Sequence, residues 1–248
     1  MSRNPTMSDA SYGRAVAELG GGTSTMTVGG TVIKTLWLLA MVMVTFAYGW
    51  LRVMDKGSAA ANIVPLATSA SLLAFVLSLV ISFKPGTVAV LAPVFALVEG
   101  LVLGITSAVF EQSYPGIAVQ AALGTFGVFS GMLILYSTRI IRVTDRLRSI
   151  VALAMWAIVF VYLASFVMSL FGATMPFIHE STPIGIGFSI LVIIVAAFML
   201  LTDFDFIEQA ARHGAPARME WYGAFALLVS LVWVYVEMLR LLAKLRSR

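Results

Sequence analysis

The chain has 248 residues, of which 60% are hydrophobic and only 11% are charged, and its formal net charge at pH 7 is +4. Because soluble domains carry about 25% charged residues, this composition excludes a mostly water-facing surface and predicts an integral membrane protein. The lack of cysteine excludes disulfides and thiolate metal sites, His179 and His213 are too few for a multi-histidine metal centre, and the small net charge indicates no nucleic-acid partner.

Residues 1–30 are polar and rich in Gly, Ser and Thr. They lack the basic start, short apolar core and cleavage site of a secretory signal. We therefore expect a disordered N-terminal tail over residues 1–30, followed by a single transmembrane domain over residues 31–248.

Seven apolar segments follow the tail, and each is long enough to cross a bilayer as a helix rising about 1.5 Å per residue. Backbone groups in lipid must be hydrogen-bonded within the protein, so helices are the expected form. The segments cover residues 31–53, 62–83, 87–110, 116–137, 147–171, 184–206 and 221–245. The predicted fold class is an all-α membrane protein with a seven-transmembrane-helix bundle.

The distribution of Lys and Arg predicts the orientation of the spans, because loops rich in these residues stay in the cytoplasm. Ten basic residues lie on the side of the N-terminus and six on the other side. This difference favours a cytoplasmic N-terminus, whereas the basic residues near the C-terminus argue the other way.

Glycines are expected at contacts between the helices, because small residues let helix backbones approach closely in lipid. Gly100 and Gly104 form a G-x-x-x-G pattern in the third span, and Gly124, Gly127 and Gly131 recur along the fourth. These glycines predict helix–helix packing and give no information about what the protein would transport.

Acidic residues within the spans are the strongest functional candidates, because a charged group inside a bilayer is costly. Glu99 lies near the middle of the third span, Asp203 and Asp205 at the end of the sixth, and Glu237 in the seventh. Glu99 is interpreted either as a protonated, hydrogen-bonded structural acid or as a cation or proton site.

Two local sequence patterns bear on the expected roles of Glu237, Asp203 and Asp205. Arg240 follows Glu237 by three positions on the same helix face, so a structural ion pair is the expected role of Glu237. Asp203 and Asp205 point about 200° apart on a helix and cannot chelate one ion together. One is expected to face the bundle while the other faces water or headgroups, at a helix end where the dipole disfavours acids.

Several motifs resemble the Bax inhibitor family of membrane proteins, and in particular its bacterial branch. They are EGLVLG at 99–104, YPGIAVQA at 114–121, TFGVFSGMLILY at 125–136, TDFDFIEQ at 202–209 and EWYGAFALLVSLVWVYVEMLRLL at 220–242. They occur in the family's order, and the resemblance covers about residues 32–245.

The resemblance implies a seven-helix bundle with the last helix central, and a pH-sensitive calcium leak gated by two aspartates. Asp205 matches the aspartate of the sixth helix, whereas the position of the seventh-helix aspartate falls on Ser230, which cannot titrate. Asp203 is the candidate substitute acid, Glu237 is a poorer one, and Lys84 is the candidate basic partner.

The predicted function is a pH-sensitive passive leak channel or transporter for Ca²⁺ or another cation, with transient Ca²⁺ binding at Asp205 and Glu99. Asp205, Asp203, Ser230 and Lys84 would gate the leak, and Glu99 and Glu237 would line its path. The alternative is a non-conducting interaction protein that regulates a membrane protease or a stress response.

The bilayer and calcium ions are the expected partners, and the bacterial inner membrane is the expected location. Neither a cofactor nor an enzymatic activity is expected, since no hydrolase motif is present.

Overall fold

The computed structural model of the chain describes residues 24–55, 60–171 and 182–247. These residues contain seven helices that are long and apolar enough to cross a membrane, which confirms the predicted all-α membrane fold. The helices are α1 Val28–Asp55, α2 Ala60–Phe83, α3 Val88–Ser113, α4 Ile117–Ser137, α5 Asp145–Leu170, α6 Pro183–Arg212 and α7 Met219–Arg246. Most of the predicted tail, residues 1–23, lies outside the described residues, as does His179.

The first helix begins at Val28, earlier than predicted. Thr27 caps it, because the Thr27 hydroxyl accepts a hydrogen bond of 2.9 Å from the Gly30 amide and so satisfies one of the helix's free donors. The residues just before this cap also pair with another part of the chain, since the Met26 amide donates to the Ala215 carbonyl at 2.6 Å. The end of the predicted tail is therefore an ordered part of the fold.

The sixth helix continues to Arg212, beyond its predicted end at residue 206. Side-chain pairs four residues apart extend it past the apolar run, with Gln209 bonded to Asp205 and Arg212 paired with Glu208. Gly214, with a φ of 67°, then ends the helix in the left-handed conformation that glycine adopts without strain. The prediction that the two aspartates lie at the helix end is thus wrong, and the penalty from the helix dipole does not apply to them.

The chain forms two compact units, and the first comprises residues up to Ser113 together with Asp203–Val229. Within this unit α1 and α3 pack closely, because a side chain at Gly100 or Gly104 would overlap the α1 backbone at Val42 or Phe46. Phe95 of α3 also meets Phe225 of α7 edge to face, with ring centroids 5.1 Å apart. The contact role predicted for these two glycines is confirmed.

The second unit comprises Tyr114–Thr202 and Ser230–Arg248. Its core joins α5 to α6 through Ile158, Val192 and Val195, and Trp233 of α7 packs against them. Gly127 and Gly131 of α4 have no neighbouring atom within 4 Å of an added Cβ among the described residues, so the predicted contact role is wrong for these two glycines. They show that glycine spacing alone does not identify a packed helix face.

Candidate functional site

Asp203 and Asp205 are both buried in the first unit, although their side chains leave α6 in opposite directions. Asp203 is 9% exposed and Asp205 is 7% exposed. The expectation that one of them faces water or headgroups is therefore wrong. Two carboxyl groups removed from solvent within one membrane-spanning helix are costly to ionise, which makes them the leading candidates for a functional site.

The surroundings of the two aspartates differ. The Gln209 side-chain amide donates a hydrogen bond of 2.8 Å to Asp205 Oδ2, one helical turn further along α6. Asp203 lies near Tyr222 of α7 and interacts with it electrostatically. Each acid therefore has a neutral polar neighbour within the first unit, and neither of these neighbours supplies a positive charge.

Lys84, the predicted basic partner of Asp205, lies between α2 and the short 3-10 turn Pro85–Thr87. Its side chain is exposed and makes no hydrogen bond or ion pair with any residue in the described part of the chain. Ser230, at the position of the family's second aspartate, is buried on α7 with 1% of its surface exposed. Their roles in gating remain predictions.

Glu99 lies in the middle of α3 and is half-buried. Its carboxyl group makes no hydrogen bond or ion pair within residues 24–55, 60–171 and 182–247, so the hydrogen-bonding of the structural alternative is not observed there. A carboxyl group without a partner at this depth can hold a proton or attract a cation.

Glu237, in the second unit, is fully buried on α7, with an exposed fraction of 0%. Its Oε2 accepts a hydrogen bond of 2.8 Å from the Tyr162 hydroxyl of α5 and a longer contact of 3.4 Å from Arg240 Nη1. The predicted ion pair between Glu237 and Arg240 is confirmed. Glu237 Oε1 is buried and has no hydrogen-bond partner among the described residues, so this carboxyl group is only half satisfied.

A buried lysine near the end of α7 was not predicted as part of any site. Lys244 Nζ donates hydrogen bonds to the Gly185 carbonyl at 3.0 Å and to the Ser189 hydroxyl at 2.7 Å, both on α6. It lies seven positions beyond Glu237, on the same helix face, and interacts with it electrostatically. That spacing is the signal by which the sequence could have revealed it.

A third buried acid of the first unit, Glu220, was also missed. It lies in the first turn of α7, and its carboxylate accepts hydrogen bonds from the Thr27 amide at 2.8 Å and the Thr27 hydroxyl at 2.9 Å. Lys34 of α1 completes its coordination as an ion pair. The partners are nearly two hundred positions away along the chain, so no local pattern could have identified this site.

The arrangement of the acids does not form a preassembled metal centre. No three His, Cys, Asp or Glu side chains converge in a way that could hold a metal ion, within the residues that the structure describes.

The comparison with known protein families agrees with the motifs found in the sequence. A family model described as Bax inhibitor 1 like matches residues 4–247, nearly the whole chain. No curated protein and no solved structure matches the chain. The family match, together with seven membrane-spanning helices, shows that the chain belongs to the Bax inhibitor 1 like family of membrane proteins.

Proposed function

We propose that the chain is a passive cation leak of the membrane, with Ca²⁺ as the expected cargo and buried carboxyl groups as its pH sensors. The observation that supports this proposal best is the burial of both Asp203 and Asp205 inside the membrane-spanning helix α6. Acids at such positions destabilise a purely structural helix, and in membrane proteins they usually serve ion or proton movement.

Asp205 is proposed as the main gating residue, with Asp203 supplying the second acid that Ser230 cannot provide. A neutral carboxyl group tolerates burial, whereas an ionised one strongly favours contact with water. We take the arrangement with both aspartates buried to be the closed state of the proposed leak. We expect the flux to depend on pH, because gain or loss of a proton changes the charge that this helix has to bury.

Glu99 and Glu237 are proposed to act on the ion path in different ways. Glu99 carries a carboxyl group with no described partner and is the better candidate for attracting a cation within α3. Glu237 faces Arg240 and Lys244 on its own helix, and these charges oppose a divalent cation there. Its proposed role is to tune the local electrostatic potential.

The test is Ca²⁺ efflux from proteoliposomes between pH 5 and pH 8. Asp205→Asn should remove most of the pH dependence, and Glu99→Gln should lower the flux. Glu208→Gln is the matched control on α6, because Glu208 pairs with the exposed Arg212, and Asp145→Asn is the control for an exposed acid. Both control variants should behave as the parent.

The same assay separates the leak from the alternative function. Unchanged flux in both Asp205→Asn and Glu99→Gln, or no flux in the parent, would contradict the leak. Stable association with a membrane protease or another membrane protein, without any flux, would instead support a non-conducting regulator. In this proposal the chain has no enzymatic activity and no resident cofactor, and Ca²⁺ is only the transported ion.

The proposed location is a bacterial inner membrane with the N-terminus in the cytoplasm. The basic residues near the C-terminus argued against this orientation, but several of them are held by contacts within the fold. Arg240 pairs with Glu237, Lys244 is buried, and Arg246 bonds to the Pro115 carbonyl at 2.7 Å. Because these cations have partners within the fold, we give them less weight than the loop residues and keep the proposed orientation.

A further inference from the structure

The segment that precedes α1 is attached to the hairpin between α6 and α7, within the first unit. Thr25 and Pro216 form an antiparallel bridge, and the Ala217 amide donates to the Ser24 carbonyl at 3.1 Å. Met26 is almost completely buried beside this pairing. These backbone contacts resemble the addition of a short strand, in which main-chain hydrogen bonds provide the attachment.

Glu220 fastens the same segment to the first turn of α7. Its Oε1 accepts hydrogen bonds from both the amide and the hydroxyl of Thr27, and its Oε2 pairs with Lys34. Lys34 Nζ also lies 5.6 Å from the centre of the Trp221 ring, a cation–π contact. Glu220 is buried, and Lys34 balances its charge. We therefore assign Glu220 no role as a cation ligand in the proposed leak.

Gly30 makes room for this carboxylate. A Cβ added at Gly30 would overlap the carboxyl group of Glu220, whereas a Cβ added at the neighbouring Gly29 would meet no atom within 4 Å. The absence of a side chain at Gly30 is therefore what allows Glu220 to reach Thr27 and Lys34.

We propose that residues 24–27 are a strap that holds the α6–α7 hairpin and thereby restrains the opening of the leak. The hairpin joins the last turn of α6 to the first turn of α7, which carries Glu220. Asp203 and Asp205 lie about two turns before that end of α6. While the strap is attached, α6 stays in the arrangement that buries both aspartates. The restraint on flux rests on the proposed function, whereas the attachment of the hairpin does not.

The test compares Gly30→Ala with Gly29→Ala in the full chain. Both substitutions add the same methyl group and favour the first turn of α1 equally, but only the first displaces Glu220. Trypsin cleavage after Arg212 and Arg218, which flank the hairpin turn, reports detachment in detergent micelles. Cleavage after Arg142, in the exposed loop before α5, is the internal reference.

Gly30→Ala should speed cleavage at the hairpin by about tenfold, as expected when one charge-assisted hydrogen bond is lost, and Gly29→Ala should match the parent. In proteoliposomes Gly30→Ala should raise Ca²⁺ efflux at a fixed pH, again unlike Gly29→Ala. Thr27→Ala, which removes one hydrogen bond to Glu220 and the cap of α1, should give a change in the same direction.

The possible outcomes test the attachment of the strap separately from the proposed leak. Equal cleavage of the hairpin in Gly30→Ala and Gly29→Ala would overturn the strap. Faster cleavage with unchanged flux, in a parent that conducts, would overturn its restraint on the leak. Faster cleavage in a protein that never conducts would leave the hairpin attachment supported and would refute the proposed function.

Discussion

The hydroxyl of Tyr162 and the carboxylate of Glu237 form a hydrogen bond of 2.8 Å that joins α5 to α7. The carboxylate is fully buried, and its other contact on the same oxygen, from Arg240, is longer at 3.4 Å. Tyr162 therefore provides the shorter hydrogen bond of a buried acid whose second oxygen has no described partner. Removing this donor leaves a charged group without adequate solvation in the interior.

Tyr162→Phe should lower the free energy of unfolding by about 1–3 kcal/mol, because it leaves a buried acceptor unsatisfied. Combining it with Glu237→Leu should restore part of the loss, since the buried acid without its donor is then removed and Arg240, which loses its ion pair, is partly exposed. The measurement is thermal unfolding in detergent. Tyr48→Phe is the control, because Tyr48 bonds to Arg52 on an exposed face of α1. A double variant that is less stable than Tyr162→Phe would contradict the argument.

Gly104→Ala should destabilise the protein by about 1–3 kcal/mol, because the added methyl group would overlap the Phe46 carbonyl in the contact between α1 and α3. Gly131→Ala on α4 has open space around the new methyl group and should instead gain about 0.5–1 kcal/mol from helix propensity. The two variants differ only in packing, so thermal unfolding in the same detergent compares them directly. Equal midpoints would show that the α1–α3 contact tolerates the extra atom.

Asp205→Ala should lower the free energy of unfolding by about 0.5–1.5 kcal/mol, because it removes the acceptor of the hydrogen bond from the Gln209 amide. Asp205→Asn should cost less, because the oxygen of the new amide can still accept that hydrogen bond. Thermal unfolding in detergent measures both variants, with Glu208→Gln as the control. Equal losses in Asp205→Ala and Asp205→Asn would contradict a stabilising role for this hydrogen bond.

Ser189→Ala should destabilise the second unit by about 1–3 kcal/mol, because Lys244 would lose one of the two acceptors that hold its buried ammonium group. Ser189→Thr retains the hydroxyl and should cost less. Ser137→Ala, on an exposed part of α4, is the control and should be nearly neutral. Chemical unfolding followed by the fluorescence of Trp233 and the other tryptophans measures the differences.

The seven helices could be predicted from the sequence because a long apolar run in lipid satisfies its backbone hydrogen bonds by forming a helix. It misplaced the end of α6 because polar pairs such as Asp205–Gln209 extend a helix beyond the apolar run. Among the candidate residues, the pair Glu237–Arg240 could be predicted from its spacing on one helix. The partners of Glu220 could not be predicted, because hydrophobic periodicity carries no information about which distant helices become neighbours.

The division of α6 and α7 between the two units has a consequence for biosynthesis. The first unit needs Asp203–Val229 and the second needs Ser230–Arg248, so neither is complete until the last quarter of the chain has been made. Arg246, near the C-terminus, reaches back to Gln120 at 2.8 Å and Pro115 at 2.7 Å. During synthesis the contact between α1 and α3 can therefore form early, but neither unit can be completed before α7 has entered the bilayer.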